Sequence, residues 1–181
     1  MQSVQYVINL IGNGWEGENK KMNLEIRFAT ANDVPVILRF IKELAEYEKL
    51  SDQVVATEEI LCEKLFGDKR YAEVILSYVD NTPVGFALFF HNFSTFLGKP
   101  GIYLEDLYVI PEMRGKKIAK KLLAFLAKLT IERDCGRLEW WVLDWNTPAL
   151  DFYRSIGAVP MDEWTVQRVT GDALINLASA S

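Results

Sequence analysis

Residues 105–123 read EDLYVIPEMRGKKIAKKLL, and this stretch is the strongest guide to both fold and chemistry. Two adjacent carboxylates stand within an apolar run typical of a strand, and a proline turn and the basic residues 114–117 follow. The apolar spacing then predicts a helix over residues 116–133. A lysine in the first turn of a helix is unfavourable by about 0.3 to 1 kcal/mol, whereas that end of the helix dipole favours anions. The stretch therefore predicts an anion-binding turn between a strand and a helix.

The basic turn differs from the common phosphate-binding motifs. It matches neither the GxxxxGK[ST] pattern of a P-loop nor the GxGxxG pattern of dinucleotide-binding folds. A basic face exposed to water is the alternative, and we prefer that interpretation for Lys120 and Lys121. For residues 114–117 we favour an anion bound by backbone N–H groups and cationic side chains.

The composition narrows the possible functions. A length of 181 residues suits one domain, and a net charge of -5 argues against general nucleic-acid binding while it mildly favours a small cationic partner. Cys62 and Cys135 have no CxxC spacing, so we interpret them as free, buried thiols. His91 is the single histidine and is expected to be an ordinary strand residue rather than a metal ligand or a triad member. We therefore expect no metal site.

The apolar runs and the N-terminal residues 1–21 indicate where in the cell the protein is expected. No apolar run approaches the roughly 20 residues of a membrane helix, and residues 1–21 lack the features of a signal peptide. We expect no membrane attachment and a cytoplasmic protein. Residues 1–21 differ in composition from the rest, so we interpret them as an N-terminal extension before a single domain at residues 22–181.

Strand and helix patterns alternate from Leu24 onward, which predicts an α/β fold with a mixed sheet. The predicted strands are LEIRFA, AEVILSYV, VGFALFFHNF, GIYLEDLYVI, a buried RLEWWVLD and WTVQRV. The predicted helices are residues 33–48, residues 57–66 with Thr57 as N-cap, residues 116–133, a short helix capped by Thr147 that ends before Gly157, and DALINLAS. The turn DNTP joins the second and third strands into a hairpin.

Two segments carry a resemblance to a known family. EDLYVIPEMRGKKIAKKLL followed by WNTPALDFYRSIGA resembles the acetyl-CoA-binding core of the GNAT superfamily of N-acetyltransferases. Its pattern is Arg or Gln, two residues, Gly, one residue, then Gly or Ala, and the matching positions here are Arg114, Lys117 and Ala119. Lys117 thus replaces the central glycine. The resemblance implies a GNAT fold, with a mixed, mostly antiparallel central sheet flanked by helices.

The resemblance extends from about Leu24 to the C-terminus. FATANDVPVILRFIKELAEYEKLSDQV, STFLGKPGIYLEDLYV and VLDWNTPALDFYRSIGA are similar to the spermidine/spermine N-acetyltransferase family, and closest to its thialysine and diamine acetyltransferase branch. Each motif alone is moderately specific, but together and in order they are highly specific. The family implies direct transfer of an acetyl group from acetyl-CoA to a primary amine of a small polyamine, diamine or thialysine-like amino acid, and a homodimer.

The family resemblance implies a role for each residue of this sequence that matches a functional position of the family. The resemblance implies that Glu105 is a general base acting through water, that Tyr153 protonates the CoA thiolate, and that a β-bulge opens the strand at Glu105. It implies cofactor binding by Leu107, Val109, Arg114, Gly115, Lys116, Lys117, Ile118, Ala119, Asn146 and Tyr153. It implies substrate binding by Tyr47, Glu48, Ser94, Thr95, Glu105, Asp106, Leu143, Asp144 and Trp164, with Phe96 in place of a tryptophan.

The residues also allow plainer interpretations. From spacing alone Tyr153 is a core tyrosine and Asn146 a turn residue. The amine wall, which the resemblance builds from Tyr47, Glu48, Trp164 and Phe96, is from spacing alone ordinary surface and packing. Glu105 and Asp106 are functional candidates because buried carboxylates are unfavourable unless paired, and a structural ion pair is the alternative. Competing functions are acetylation of a protein N-terminus, a lysine side chain or an aminoglycoside, and a CoA-binding module without turnover.

Overall fold

The computed structural model describes residues 22–180, which form two units divided after Trp141. The predicted extension, residues 1–21, lies outside the described residues. The first unit contains β1 (Leu24–Phe28), α1 (Val34–Tyr47), α2 (Glu58–Phe66), β2 (Glu73–Val79), β3 (Thr82–Ser94), β4 (Lys99–Val109), α3 (Ile118–Glu132) and β5 (Leu138–Trp140). The second contains α4 (Thr147–Ser155) and α5 (Gly171–Ala178).

The five strands form one sheet in the order β1-β2-β3-β4-β5. The first three pairings are antiparallel, and β4 pairs with β5 in parallel. The predicted mixed, mostly antiparallel sheet is therefore confirmed. Asp80 and Asn81 turn the β2–β3 hairpin with φ of 48° and 66°, which suits a tight two-residue turn.

Helices α1 and α3 cover opposite faces of the sheet. Phe40 of α1 stacks on Phe86 of β3 with ring centroids 5.8 Å apart. Phe28 of β1 contacts both Phe89 of β3 and Phe125 of α3, at 6.5 and 5.7 Å. Phe86 and Phe89 are three residues apart on one strand, so they point to opposite faces. We call these the α1 face and the α3 face of the sheet.

A polar network fixes the start of α1 to the sheet. Arg27 donates two hydrogen bonds of 2.9 Å to the carboxylate of Asp33 and one of 2.7 Å to the hydroxyl of Tyr78. Burial alone would raise the pKa of Asp33, but the bonds from Arg27, Thr30 and Tyr78 hold it well below its usual range. Burial and the neighbouring Asp33 raise the pKa of Tyr78 to about 12. The ionised Asp33 therefore joins β1, β2 and the entry to α1.

Helix ends explain several predictions and correct others. The Thr57 hydroxyl accepts a 3.3 Å hydrogen bond from the N–H of Ile60, so its role as N-cap of α2 is confirmed. The cap of α4 is Asn146 rather than Thr147, because Asn146 Oδ1 accepts from the N–H of Ala149 at 3.4 Å. Gly157 follows α4 with φ of 90°, as the prediction required.

Two strand predictions were wrong. The segment RLEWWVLD forms a strand only at Leu138–Trp140, which is half-buried rather than buried. WTVQRV forms no strand in the described structure. The predicted burial of the cysteines was wrong for Cys62, which is exposed, while Cys135 is half-buried and both are free.

Two further features bear on function. Among residues 22–180, no three histidine, cysteine, aspartate or glutamate side chains are grouped so that they could ligate a metal ion. No helix in this part of the chain combines the length and the apolar character that crossing a membrane requires.

Candidate active site

A bulge interrupts β4 at the predicted catalytic glutamate. Leu88 of β3 pairs with Asp106, and the next residue, Phe89, pairs with Leu104, so Glu105 is an extra residue on β4. Such a bulge bends the strand and redirects the side chains that follow. The bulge that the family resemblance implied is therefore confirmed. Glu105 is exposed and Asp106 is half-buried.

Beyond the bulge, β4 loses its partner on one edge. β5 pairs with Ile102, Tyr103 and Leu104 and ends there, whereas β3 pairs along β4 as far as Val109. Within residues 22–141, residues 105–109 therefore have a strand neighbour on one side only. This edge of β4 has backbone N–H and C=O groups that a bound ligand could use.

Three carboxylates meet at the bulge. Glu48 follows α1 as its C-terminal cap, and burial raises its pKa. Burial, and then the negative charges of Glu105 and Glu48, raise the pKa of Asp106 to about 7. A cation bound here would be attracted by all three groups and would favour their ionised forms. The arrangement suits the ammonium group of an amine.

The basic turn lies between this edge and α3. Pro111–Met113 form one 3-10 turn, Gly115 has a left-handed backbone with φ of 76°, and Lys117 has φ of 63°. Helix α3 begins at Ile118, so the predicted start at residue 116 was wrong and Lys116 and Lys117 precede the helix. The first N–H groups of α3 have no carbonyl partner within the helix. With these cations beside them, they can bind a pyrophosphate.

The left-handed conformation at Lys117 explains why the family pattern has glycine there. For a residue with a Cβ, this conformation is higher in free energy by about 1–2 kcal/mol because of steric repulsion, and glycine avoids that repulsion. Lys117 retains the backbone shape of the pattern and adds a cation to the turn. The donor set therefore fits a phosphorylated cofactor in spite of the replaced glycine.

Arg114 connects the turn to the predicted amine wall. Its Nε donates a 3.1 Å hydrogen bond to the carbonyl of Val109, and its guanidinium lies over the ring of Tyr47 at 4.8 Å. The same group is 5.7 Å from the centroid of Tyr108. The structure thus brings Arg114, Tyr47, Glu48 and the bulge carboxylates into one region of the first unit.

Five predicted residues belong to the second unit and are described within it. The carbonyl of Leu143 accepts a 2.8 Å bond from the N–H of Asn146, so Leu143 and Asp144 form the turn that enters α4. Tyr153 is half-buried in the last part of α4. Trp164 lies in a turn, where its backbone N–H donates a 3.1 Å hydrogen bond to the carbonyl of Met161.

Ser94 and Thr95 lie away from the bulge. Ser94 pairs with Lys99 at the tip of the β3–β4 hairpin, and its hydroxyl accepts a 3.3 Å bond from the N–H of Leu97. Ser94 lies six positions along β3 from Leu88, the partner of Asp106, which is about 20 Å of strand. The structure does not bring this hydroxyl pair to the bulge carboxylates of the same chain. Phe96 at the tip is 94% exposed.

Comparison with known proteins decides the family. The sequence profile described as "Acetyltransferase (GNAT) family" matches residues 38–158. The chain belongs to the GNAT acetyltransferase family. It is an N-acetyltransferase, and it is 40% identical to the bovine (Bos taurus) thialysine N-epsilon-acetyltransferase over 84% of its own length and 96% of that protein. It is 32% identical to the L-ornithine N5-acetyltransferase of Arabidopsis thaliana, covering 85% of this chain and 87% of that one.

A solved structure agrees with this assignment. An integron cassette protein from the mobile metagenome of V. cholerae superposes with a TM-score of 0.74 at 28% identity, over 87% of this GNAT chain and 98% of that protein. The predicted GNAT fold is confirmed.

Sequence reasoning missed contacts that depend on the register of the sheet. In this GNAT enzyme Phe90 and Tyr103 are paired across β3 and β4 with ring centroids 5.1 Å apart, and Trp141 meets Tyr103 edge-on at 5.6 Å. Counting the hairpin register from its turn would have placed Phe90 opposite Tyr103. No sequence signal indicates that Arg114 stacks on Tyr47.

Proposed function

We propose that this GNAT enzyme transfers the acetyl group of acetyl-CoA to a primary amine of a small diamine, polyamine or thialysine-like amino acid. The observation that carries the proposal is the group of three carboxylates at the β4 bulge, where the pKa of Asp106 is about 7. Cation binding would relieve the repulsion among these groups. The named activities of the thialysine and ornithine relatives support the same class of substrate.

When bound, acetyl-CoA supplies the acetyl group as a thioester. Arg114, Gly115, Lys116 and Lys117 would hold its phosphates, with the first N–H groups of α3 at Ile118 and Ala119. Leu107 and Val109 offer backbone groups on the open edge of β4, and Asn146 is proposed to bind the pantetheine arm. The open strand edge and the left-handed turn support these roles.

Proton transfer is the chemical task of the protein side chains. An amine with a pKa of about 10.4 must lose a proton before it attacks, which requires roughly 4.6 kcal/mol at pH 7. We assign Glu105 to accept that proton through water, because it is exposed at the bulge. Asp106 and Glu48 hold the ammonium groups. Tyr153 is proposed to hold the proton that the departing thiolate receives.

The remaining substrate residues divide between two regions. Tyr47 in the first unit is proposed to attract a cation through its ring, and the family resemblance assigns the same role to Trp164 in the second unit. The family resemblance assigns contact with the distal end of the substrate to Ser94 and Thr95 in the first unit and to Leu143 and Asp144 in the second.

Because Ser94 and Thr95 are far from the bulge of their own chain, we propose that a homodimer brings the hairpin of a second copy to the site. The exposed Phe93, Phe96 and Leu97 on that hairpin support a protein contact there. Light scattering on the active enzyme tests this proposal, and a fully active monomer would contradict it.

The test of the proposed function is release of free CoA thiol from acetyl-CoA in the presence of an amine panel. The panel contains thialysine, free L-lysine, putrescine, spermidine, an N-terminal peptide, a lysine-containing peptide and an aminoglycoside. We expect release with the small amines, and release only with a peptide or the aminoglycoside would redirect the proposal. Thermal stabilisation by acetyl-CoA without release would support the non-catalytic alternative. A cytoplasmic location is part of the proposal and rests on the sequence prediction.

A further inference from the structure

The guanidinium of Arg114 lies over two aromatic rings of the first unit. It is 4.8 Å from the ring centroid of Tyr47, the last residue of α1, and 5.7 Å from that of Tyr108 on β4. Both distances are within the roughly 6 Å at which the face of an aromatic ring attracts a cation. We call Tyr47 and Tyr108 the ring pair.

The ring pair is held in place from α1. Tyr108 is buried, and its ring centroid is 5.8 Å from that of Phe40. Its hydroxyl donates a hydrogen bond to the carboxylate of Glu43, and burial, this bond and the charge of Glu43 raise the pKa of Tyr108 to about 12. Tyr47 follows Glu43 by four residues, about one helical turn, so both side chains lie on the same side of α1. The ring pair therefore offers Arg114 a surface that α1 and β4 build together.

The backbone and the side chain of Arg114 are both bonded at the start of the basic turn. The N–H of Arg114 donates a 3.1 Å hydrogen bond to the carbonyl of Pro111, and its Nε donates one of 3.1 Å to the carbonyl of Val109. The next residue, Gly115, has a left-handed backbone with φ of 76°. The orientation of the Arg114 side chain is therefore linked to the path of the turn that is proposed to bind the phosphates.

The ring pair fixes Arg114 without neutralising its charge. Among residues 22–180, the exposed Arg114 forms no ion pair with a carboxylate. A carboxylate partner would cancel the positive charge, whereas an aromatic face attracts the cation and leaves the net charge unchanged. An arginine side chain also has many rotamers, and a ligand that binds a mobile arginine has to order it. A guanidinium that is already in place avoids that loss of entropy.

We propose that Tyr47 and Tyr108 are positioning residues for the cofactor, which fix the guanidinium of Arg114, and through it the turn at residues 111–117, before the phosphates bind. The proposal rests on the proposed function and gives Tyr47 a second task besides the amine. Asp106 and Tyr108 are two residues apart on β4, so they lie on the same face of the sheet. The ring pair thus connects the region of the bulge carboxylates with the phosphate-binding turn.

Isothermal titration calorimetry with CoA, in the absence of an amine, measures the effect. Tyr47→Leu removes one ring and should raise the Kd for CoA by about 3- to 10-fold, which is about 0.6 to 1.4 kcal/mol. Tyr47→Phe keeps the ring and should restore the affinity of the wild type. Tyr71→Leu is the matched control and should not change the Kd, because Tyr71 is exposed, precedes β2 and has Lys69 over its ring at 5.0 Å.

A double-mutant cycle shows whether the ring of Tyr47 acts through Arg114. Arg114→Gln should also raise the Kd for CoA, and in that background Tyr47→Leu should raise it no further. Arg114→Lys keeps the positive charge but lacks the planar guanidinium and the Nε donor, so it should bind CoA more weakly than the wild type does.

Three results would overturn the role of the ring pair: an unchanged Kd in Tyr47→Leu, equal losses in Tyr47→Leu and Tyr47→Phe, or losses that add in the double variant. If Tyr47→Leu fails to fold, Arg114→Lys decides the question, and wild-type affinity in that variant would overturn the proposal. Because no amine is present, the two proposals fail in different ways. A wild-type protein that binds no CoA would overturn the proposed function itself, whereas CoA binding that does not depend on Tyr47 would overturn this inference alone.

Discussion

Asp106→Asn should stabilise the protein in a pH-dependent way. The pKa of Asp106 is raised to about 7 in the folded chain by burial and by the charges of Glu105 and Glu48, whereas an unfolded aspartate has a pKa of about 3.9. Between these values the folded state keeps a proton that the unfolded state has lost. Ionisation of Asp106 therefore lowers the stability of the wild-type protein as the pH rises from about 4 to about 7. Asparagine has no such proton, so the advantage of the variant should grow over this range and then remain constant.

The magnitude follows from the difference between the two pKa values. About three pH units at 1.36 kcal/mol each give roughly 4 kcal/mol as an upper limit. Asp106 is half-buried, so solvent screening reduces this value, and we expect about 2 kcal/mol at pH 8. For a chain of this size, that is a rise in Tm of about 4 to 8 °C.

Thermal unfolding followed by circular dichroism at pH 4, 6 and 8 measures the effect. Asp68→Asn, at an exposed position outside the site, is the matched control and should not change Tm. The stabilised variant should also have a lower kcat/KM for the amine, by about tenfold or more, because the ammonium loses a charged partner. A Tm gain of equal size at pH 4 and pH 8 would refute the reasoning, since it would indicate packing rather than ionisation. The absence of any Tm gain at pH 8 would also refute the reasoning.

Three further predictions concern the proposed general acid, Tyr153, and two residues of the proposed phosphate-binding turn, Arg114 and Lys117. Tyr153→Phe should preserve Tm and lower kcat by about 100- to 10,000-fold, and unchanged turnover at saturating substrates, with chemistry rate-limiting, would make Tyr153 a packing residue. Arg114→Glu should raise KM for acetyl-CoA more than KM for the amine; equal changes in both constants would speak against a phosphate site. Lys117→Gly should raise the free energy of unfolding by about 1 kcal/mol, because glycine adopts the left-handed backbone without strain, and a lower Tm would contradict that explanation.

The strongly periodic parts of the sequence predicted the fold well. The apolar spacing of α1 and the Thr57 cap of α2 are local signals, and the structure retains both. The strand prediction for RLEWWVLD was too long for a physical reason that is not local. β4 bulges at Glu105, so β5 has no parallel neighbour beyond Trp140. WTVQRV has strand-forming residues, but propensity alone does not make a strand without a pairing partner.

The site was predicted in part. Motif positions identified Glu105, Asp106 and Arg114, and the structure brings them together with Tyr47. The left-handed backbone at Lys117 could not be predicted, because the helical spacing of the sequence extends without a break into the residues before Ile118. The contact between Asn92 and Glu139 could not be predicted, since these residues are 47 positions apart and meet only through the pairing of three strands.

The most direct test of the account is a set of specificity constants measured under one condition for thialysine, free L-lysine, putrescine, spermidine and spermine. The bulge carboxylates would bind one ammonium group, and the hydroxyls proposed for the other end of the substrate, on Ser94 and Thr95, suit an α-amino acid rather than a further cation of a long polyamine. A site that is built to bind polar groups strongly rejects a substrate lacking them. We predict that thialysine, free L-lysine or putrescine has a higher kcat/KM than spermine. A kcat/KM for spermine or spermidine more than about tenfold above the others, a difference of about 1.4 kcal/mol, would contradict the account and assign the enzyme to polyamines.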